Sequence, residues 1–381
     1  MQETTTRRSS TRLVLAALES GLGDGAFPGA VGVVDVAGRR SETFAVGHTS
    51  HCPDWPAATS GTIWDLASVS KVLATTTLGM QLVDQGMLDL DAPAAVYLPE
   101  FRSSGKSHLT ARHLLLHNAG LVAFKPYHKS FVDAEQCRRS ILTEQLSYET
   151  GTKTIYSDLG MISFGILLER IAGRPLDELV RTRIAEPLGL SVFTYNPTPD
   201  QQLRCAPTEV IEDWRQSLNE ARGFTFSRHT PELPDERLYI RGQVHDPTAT
   251  VLGGVAGHAG IFSTLPDVLK LCRVLRDGGR FDGRTFVSAS TIKLFTTRAG
   301  ASSSRALGWD TPWDTNPWTG SFSPETFAHT GYTGTSVAVD TRRGVIAILL
   351  TNRVHPTADN KKLIAFRGVF HTEVIKEFAL G

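Results

Sequence analysis

Cysteine is scarce: four thiols among 381 residues, at Cys52, Cys137, Cys205 and Cys272, with no CxxC pair. A chain this long with so few, widely separated cysteines is not a disulfide scaffold. They read as buried or partly buried free thiols of a reducing compartment. Excess charge is absent too, since 39 basic residues face 39 acidic ones. That balance gives no electrostatic case for nucleic acid or an anionic membrane surface as partner. No uncharged apolar run reaches the roughly 18 to 20 residues a membrane span needs. Internal repeats and low-complexity tracts are also missing. Arg7-Arg8 precede an apolar run from Leu13 to Leu18, but the run stops at Glu19 and no cleavage site follows cleanly. It reads as an amphipathic helix capped near Ser9 or Ser10. The expectation is a soluble cytoplasmic protein, with the arginine pair leaving export open.

What is present is an ordinary globular composition, 41% apolar and 8% aromatic, at a length that suggests two to three packing units. Strand signals fall in two blocks. Residues 29–47 hold β-branched runs flanking Ala37-Gly38, and residues 336–352 hold two apolar runs around a polar turn at Asp340–Gly344. Both read as hairpins of an antiparallel sheet. Between them the helical period dominates, with helices expected at 69–84, 110–117, 134–145, 157–172 and 175–188, and later ones at 265–277 and 361–379. Pro175 would sit just inside a helix start. Residues 1–65 plus 260–381 are therefore expected to form a sheet with terminal helices, and 66–259 a mostly helical region. The stretch 210–245 is charged, aperiodic and proline-bearing, and reads as a surface loop or lid.

The stretch "LASVSKV" (66–72) places one lysine in an otherwise uncharged segment between Asp65 and Asp84. Lysine is rarely fully buried without a partner. Ser68 lies one helical turn before Lys71, at a helix N-terminus that favours an anion. A desolvated lysine has a lowered pKa and is able to act as base toward that serine. The bland alternative is a capping serine beside a lysine that snorkels to solvent. "TIYSDLG" (154–160) puts Tyr156 just before a helix and Asp158 at its cap. "FAHTGYTGTS" (327–336) puts His329 and Gly331 at a strand edge, where glycine permits close approach of a ligand.

In order and spacing, "SVSK", "YSD" and "HTG" resemble the three motifs of the penicillin-recognising serine hydrolases, nearest to the class C β-lactamases and their esterase and peptidase relatives. "ARHLLLHNAGL" (111–121) and "GGVAGHAGIFSTLPDVLKLCRVL" (253–275) resemble segments between those motifs, so the likeness covers about residues 25–379. It implies an α+β fold of the β-lactamase/DD-peptidase type: an αβα sandwich whose antiparallel sheet, flanked by helices, is built from both chain ends. A helical insertion would complete it, with the site in the seam. It implies Ser68 as the acylated nucleophile, Lys71 as its helper in deprotonation, and Tyr156 as the proton relay. The backbone N–H groups of Ser68 and Tyr332 would form the oxyanion hole. Asp158, His329 and Gly331 would contact substrate, and no cofactor or metal is implied.

Two departures from the pattern matter. His329 stands where Lys-Thr-Gly enzymes have a permanent cation, and Asp158 stands where class C enzymes carry an asparagine. Both move local charge negative, which argues against penicillins and toward neutral or cationic acyl groups. Asp158 offers a second role as the partner of Lys71. "CAPTE" (205–209), "WR" (214–215), "GQVHDPTA" (242–249) and "LLTNRVHP" (349–356) resemble a bacterial subgroup that includes muropeptide amidases of cell-wall recycling. The gap from Gln216 to Gly242 is expanded here.

Other clusters read as structural. His48, His51 and Cys52, or His113 and His117 at i, i+4, have metal-like spacing without a matching second set of ligands. His245-Asp246 and His258 read as hydrogen-bonded loop residues, with substrate contact as the alternative. Trp64 reads as core beneath the nucleophile. The leading expectation is a serine hydrolase cleaving an ester or amide through Ser68. The alternatives are a muropeptide amidase or D-amino-acid peptidase, and a binding or sensor protein that acylates once and stalls. The expected partner is a small ester, amide or muropeptide; the sequence leaves the oligomeric state open.

Overall fold

The computed structural model describes residues 12–51, 55–222, 239–313, 318–319 and 321–378. Five antiparallel strands make the main sheet: β1 (Gly29–Val36), β2 (Arg40–Gly47), β3 (Thr326–Thr330), β4 (Ser336–Asp340) and β5 (Val345–Thr351). Their order is β2-β1-β5-β4-β3, so strands from the two chain ends meet at the β1–β5 pair, with Val33 opposite Ile348. Gly38 carries a positive φ of 66° in the first hairpin turn, a conformation that costs glycine nothing.

Alternation along each strand sends side chains to two separate cores. Val31, Val33, Val339 and Ile348 pack with the helical region, while Ala30, Val34, Ala338 and Leu349 pack under the terminal helices. Those helices, Leu13–Gly23 and Lys362–Phe378, lie against one another and cover that face through Leu18, Phe366 and Phe370. The helix Leu265–Arg276 packs on β1 and β5 from the other side. A sheet buried on both faces explains why β1 and β5 read as nearly continuous apolar runs. The fold is an αβα sandwich with an antiparallel sheet.

Most expected helices form, and the differences are informative. The nucleophile helix spans residues 69–84, but Lys71–Thr76 is a π-helical turn, a feature that often accompanies functional sites. The expected 110–117 helix is Ala111–Leu115, opened by a capping box in which Thr110 and His113 bond each other's backbone N–H. His117 lies beyond that helix with φ +56°, so the two histidines do not share a helix face. Pro175 is the N-cap of Leu176–Val180 rather than its first residue. The first helix starts after Arg12 without a side-chain cap; Ser9 and Ser10 lie outside the described residues. So do Cys52 and the centre of the 210–245 segment, whose start instead forms a helix, Asp213–Ala221. Cys137, Cys205 and Cys272 are buried free thiols. Among the described residues no helix is long and apolar enough to cross a membrane.

One contact ties the helical region to the site. A Cβ on Gly257 would meet the Met161 carbonyl at 2.2 Å. The Gly257 carbonyl accepts from Thr75 Oγ1 at 2.8 Å. Backbone packs on backbone here and has nowhere to move. Gly257→Ala is expected to destabilise the protein by ~1–3 kcal/mol, as overpacking does, read as a lowered urea midpoint. An unchanged midpoint would refute the tight contact.

Candidate active site

Trp64 and Asp65 form a short buried strand against Phe262–Ser263, and the chain then turns sharply into the nucleophile helix. Ala67 takes φ +46° at that turn, a left-handed conformation that strains a residue with a Cβ. Several bonds hold it. Asp65 Oδ1 accepts from the Ala67 N–H at 2.8 Å. Thr333 Oγ1 donates to the Asp65 carbonyl at 2.7 Å, and Thr335 Oγ1 donates to the Leu66 carbonyl at 2.8 Å. The β3–β4 connection is thereby latched onto the turn that presents Ser68. Gly331 lies in that latch, where a Cβ would meet the Leu66 carbonyl at 2.5 Å. Trp64 is core, as expected.

Lys71 is 0% exposed, and its ammonium sits among three oxygens. Nζ donates to Ser68 Oγ at 2.7 Å and to the His258 carbonyl at 2.9 Å, and lies 2.8 Å from Asp158 Oδ1. The first two oxygens accept hydrogen bonds, and the third supplies the opposite charge. Burial alone would lower the lysine pKa, but Asp158 and then Tyr156 outweigh it, and the pKa is raised above its ordinary value. This corrects the expectation of a lysine depressed by desolvation: at rest Lys71 is a cation. The π-helical turn begins at Lys71 itself.

Asp158 is able to reach Lys71 because it does not cap its helix. Ser157 does, accepting from the Gly160 N–H at 3.2 Å, so Asp158 is the first helical residue. The Ser157 N–H donates to His117 Nδ1 at 3.1 Å, and the His117 ring packs on Tyr156 at 4.7 Å between centroids. His117 thus positions the Tyr156–Asp158 segment. Burial, then Arg305 and Lys71, hold it well below the usual histidine range, so it is neutral. From sequence His117 reads as the i+4 partner of His113 on a helix, a metal-like spacing set aside as structural; no local pattern tells that it faces Tyr156.

His329 is buried, and its Nδ1 bonds the Thr330 carbonyl at 2.8 Å. Burial, Arg305 and Lys71 push its pKa well below 6.5, which makes it a neutral ring near Tyr156 rather than a replacement cation. The positive charge comes from elsewhere. A cleft of about 320 Å³ beside Ser68, Tyr156 and Tyr332 is lined by Arg305, Arg353 and Arg367, with Asp310 its one carboxylate among the described residues. Among the described residues Arg353 and Arg367 bond only carbonyls, those of Tyr332, Ala358 and Asn360 and those of Gly331 and Thr335. The buried Nε of Arg367 has no partner among the described residues, and burial lowers the Arg367 pKa to about 10. The Arg305 guanidinium lies 5.1 Å over the Tyr156 ring and has no hydrogen-bond or ion-pair partner among the described residues. His329 does not replace the motif cation, and the positive charge on this side is carried by the three arginines. The three arginines come from separate segments; Arg353 falls within "LLTNRVHP", but nothing in that stretch tells that it lies beside Ser68.

A larger cleft, about 590 Å³, opens on the other side of the same serine. Ser68, Tyr156, Asp158, Glu209, His245 and Tyr332 are among the residues lining it. Ser68 and Tyr332 line both clefts, and neither backbone N–H donates a hydrogen bond among the described residues. Asp246 pairs with buried His258 at 2.9 Å. The donor atoms of Asp158, Asp246 and His258 lie within 4.8 Å of one another, but the Lys71 ammonium already pairs with Asp158 and His258 already pairs with Asp246. His113 and His117 are engaged as described, and His51 stacks on His355.

A family model described as Beta-lactamase matches residues 15–369. This chain belongs to the β-lactamase family. Among curated relatives, a protein of Escherichia coli (strain K12) named "Putative D-alanyl-D-alanine carboxypeptidase" is 34% identical over 327 residues, covering 80% of this chain and 72% of the relative. Its counterpart in Salmonella typhimurium is 33% identical over 328 residues, with 80% and 73% covered. A penicillin-binding-protein homolog from Caulobacter crescentus has TM-score 0.72 at 20% identity, covering 96% of this chain and 97% of that one. A class C β-lactamase from Rhodobacter sphaeroides has TM-score 0.68 at 21% identity, covering 97% and 100%. These structures share the fold. As a member of this family the chain is a serine hydrolase.

The Lys71–Asp158 pair generates a pH prediction. Removing the carboxylate leaves burial opposed by Tyr156 alone, and burial favours the neutral amine. If the cation is the working form, activity falls as pH rises through the lysine pKa. In Asp158→Asn that alkaline fall is expected at lower pH than in wild type, measured as kcat/KM against pH. A fall at the same pH in both proteins would show that Asp158 does not set the Lys71 charge.

Proposed function

We propose that the protein hydrolyses ester and amide bonds through an acyl-enzyme on Ser68, and that its natural substrates are short peptides or peptide-like amides with a free carboxylate. The observation that carries the substrate class is the arginine-lined cleft beside the serine. Three guanidiniums that have no carboxylate partner among the described residues, one of them unbonded there, form a receptor for an anionic group. The names of the curated relatives point the same way, since a D-alanyl-D-alanine carboxypeptidase acts on a peptide that ends in a carboxylate.

The proposed chemistry follows from the positions. Ser68 Oγ attacks the carbonyl carbon and its proton is relayed through Tyr156, whose oxygen accepts it as the phenolic hydrogen moves on toward the leaving group. Lys71, already a cation, stabilises the charge that develops on the serine and tyrosine oxygens. The Ser68 and Tyr332 N–H groups take the oxyanion, and one such donor is typically worth about 2.7–4 kcal/mol of barrier. The proton then goes to the leaving group, and Tyr156 activates the water that frees the acyl group. A sensor that stalls after acylation is less well supported, because Ser68, Lys71 and Tyr156 are all present.

Ser68→Ala is expected to lower turnover of p-nitrophenyl acetate by at least ~10³-fold. Unchanged turnover would sink the acyl-enzyme reading. Arg305→Ala is expected to reduce kcat/KM for N-acetyl-D-alanyl-D-alanine by ~10- to 100-fold more than for p-nitrophenyl acetate, the scale of a lost hydrogen bond to a charged group. Equal effects on both would remove the carboxylate from the proposal.

A further inference from the structure

The larger cleft holds a group that the proposed chemistry does not use. His245 is 8% exposed, and its ring lines the cleft that contains Ser68. Its Nε2 meets Glu209 Oε2 at 2.7 Å. Glu209 is fixed in turn, because its other oxygen accepts from the Ala358 N–H at 2.6 Å. A carboxylate only accepts, so Nε2 carries a proton directed at Glu209, which leaves Nδ1 as the other polar atom of the ring. Among the described residues nothing bonds Nδ1, and it is not sealed from the cleft.

The ring is also held in place against the nucleophile. Asp65 Oδ2 accepts from the His245 N–H at 2.7 Å, while Oδ1 of the same carboxylate holds Ala67. One buried side chain thus spaces His245 from the Ser68 turn. On its cleft side, the His245 ring stacks on Tyr332 at 5.6 Å between centroids, and Tyr332 separates this cleft from the arginines.

The cleft is rich in carboxylates. Asp158, Glu209, Glu212 and Asp246 all line the cleft, against the single cation Arg215. Arg215 is buried and engaged by the carbonyls of Val244 and His245 and by Thr250 Oγ1. The nucleophile therefore stands between a carboxylate-lined cleft and an arginine-lined one.

We propose that His245, backed by Glu209, is a specificity-determining residue whose Nδ1 accepts a hydrogen bond from a protonated amine on the substrate portion that occupies the larger cleft. The inference rests on the peptide reading above and extends it. The substrate is dipolar, with ammonium in the acidic cleft, carboxylate in the arginine cleft, and the scissile amide over Ser68 between them. Free D-alanyl-D-alanine has this arrangement; its N-acetyl derivative lacks the ammonium.

The test is D-alanine release from D-alanyl-D-alanine and from N-acetyl-D-alanyl-D-alanine. Wild type is expected to favour the free amine by tenfold or more in kcat/KM. His245→Leu is expected to shrink that preference by roughly 10- to 100-fold, the range for a hydrogen bond to a charged group. His245→Gln, which keeps an acceptor, should restore part of it, and hydrolysis of p-nitrophenyl acetate reports that each variant is folded. Equal use of both dipeptides by wild type, or equal losses on both in His245→Leu, overturns the proposal while leaving the peptidase reading standing. Ser68-dependent ester hydrolysis without D-alanine release from either dipeptide overturns both.

Discussion

The site depends on a buried ammonium. Lys71 is wholly enclosed, and a charge in that position costs several kcal/mol unless its partners compensate for lost water. Three oxygens do so, from Ser68, the His258 carbonyl and Asp158. Each partner comes from a different part of the chain, so satisfying the lysine brings together the nucleophile turn, the 258 loop and the start of the Asp158–Ala172 helix. The main structural requirement of the site and its proposed chemical function are thus met by the same contacts.

Around that cation the protein stiffens the backbone rather than relying on side chains alone. Ala67 is held in a left-handed conformation, and Thr333 and Thr335 latch the β3–β4 connection to it. Arg353 and Arg367 bond carbonyls of the same connection while lining the smaller cleft. Hydrogen bonding to these carbonyls leaves each guanidinium without an anionic partner, and that is a physical basis for a cleft that attracts anions. Charge is separated across the serine: carboxylates dominate the larger cleft, guanidiniums the smaller.

Reading of the chain succeeded where the signal is local. The two hairpins, the Lys362–Phe378 helix and the nucleophile helix follow from alternation or helical period in short windows. Ser68 and Lys71 stood out because a lone lysine in an apolar segment demands a partner. Reading failed where one residue decides between neighbouring geometries. Asp158 or Ser157 is each a plausible cap, and the choice of Ser157 releases Asp158 to bind Lys71. The sign of the lysine pKa shift turns on that choice, since burial and the carboxylate push in opposite directions.

The amino-acid sequence by itself determined the elements, the buried faces of the strands and the nucleophile–lysine spacing. These depend on periods of two and 3.6 residues and on spacing along one helix. Only the tertiary structure decided the electrostatics. Arg305, Arg353 and Arg367 lie on three separate segments, and His245 meets Glu209 across 36 positions. Charge at a site is a sum over neighbours in space with their burial, and neither neighbour nor burial is encoded in any short stretch of chain.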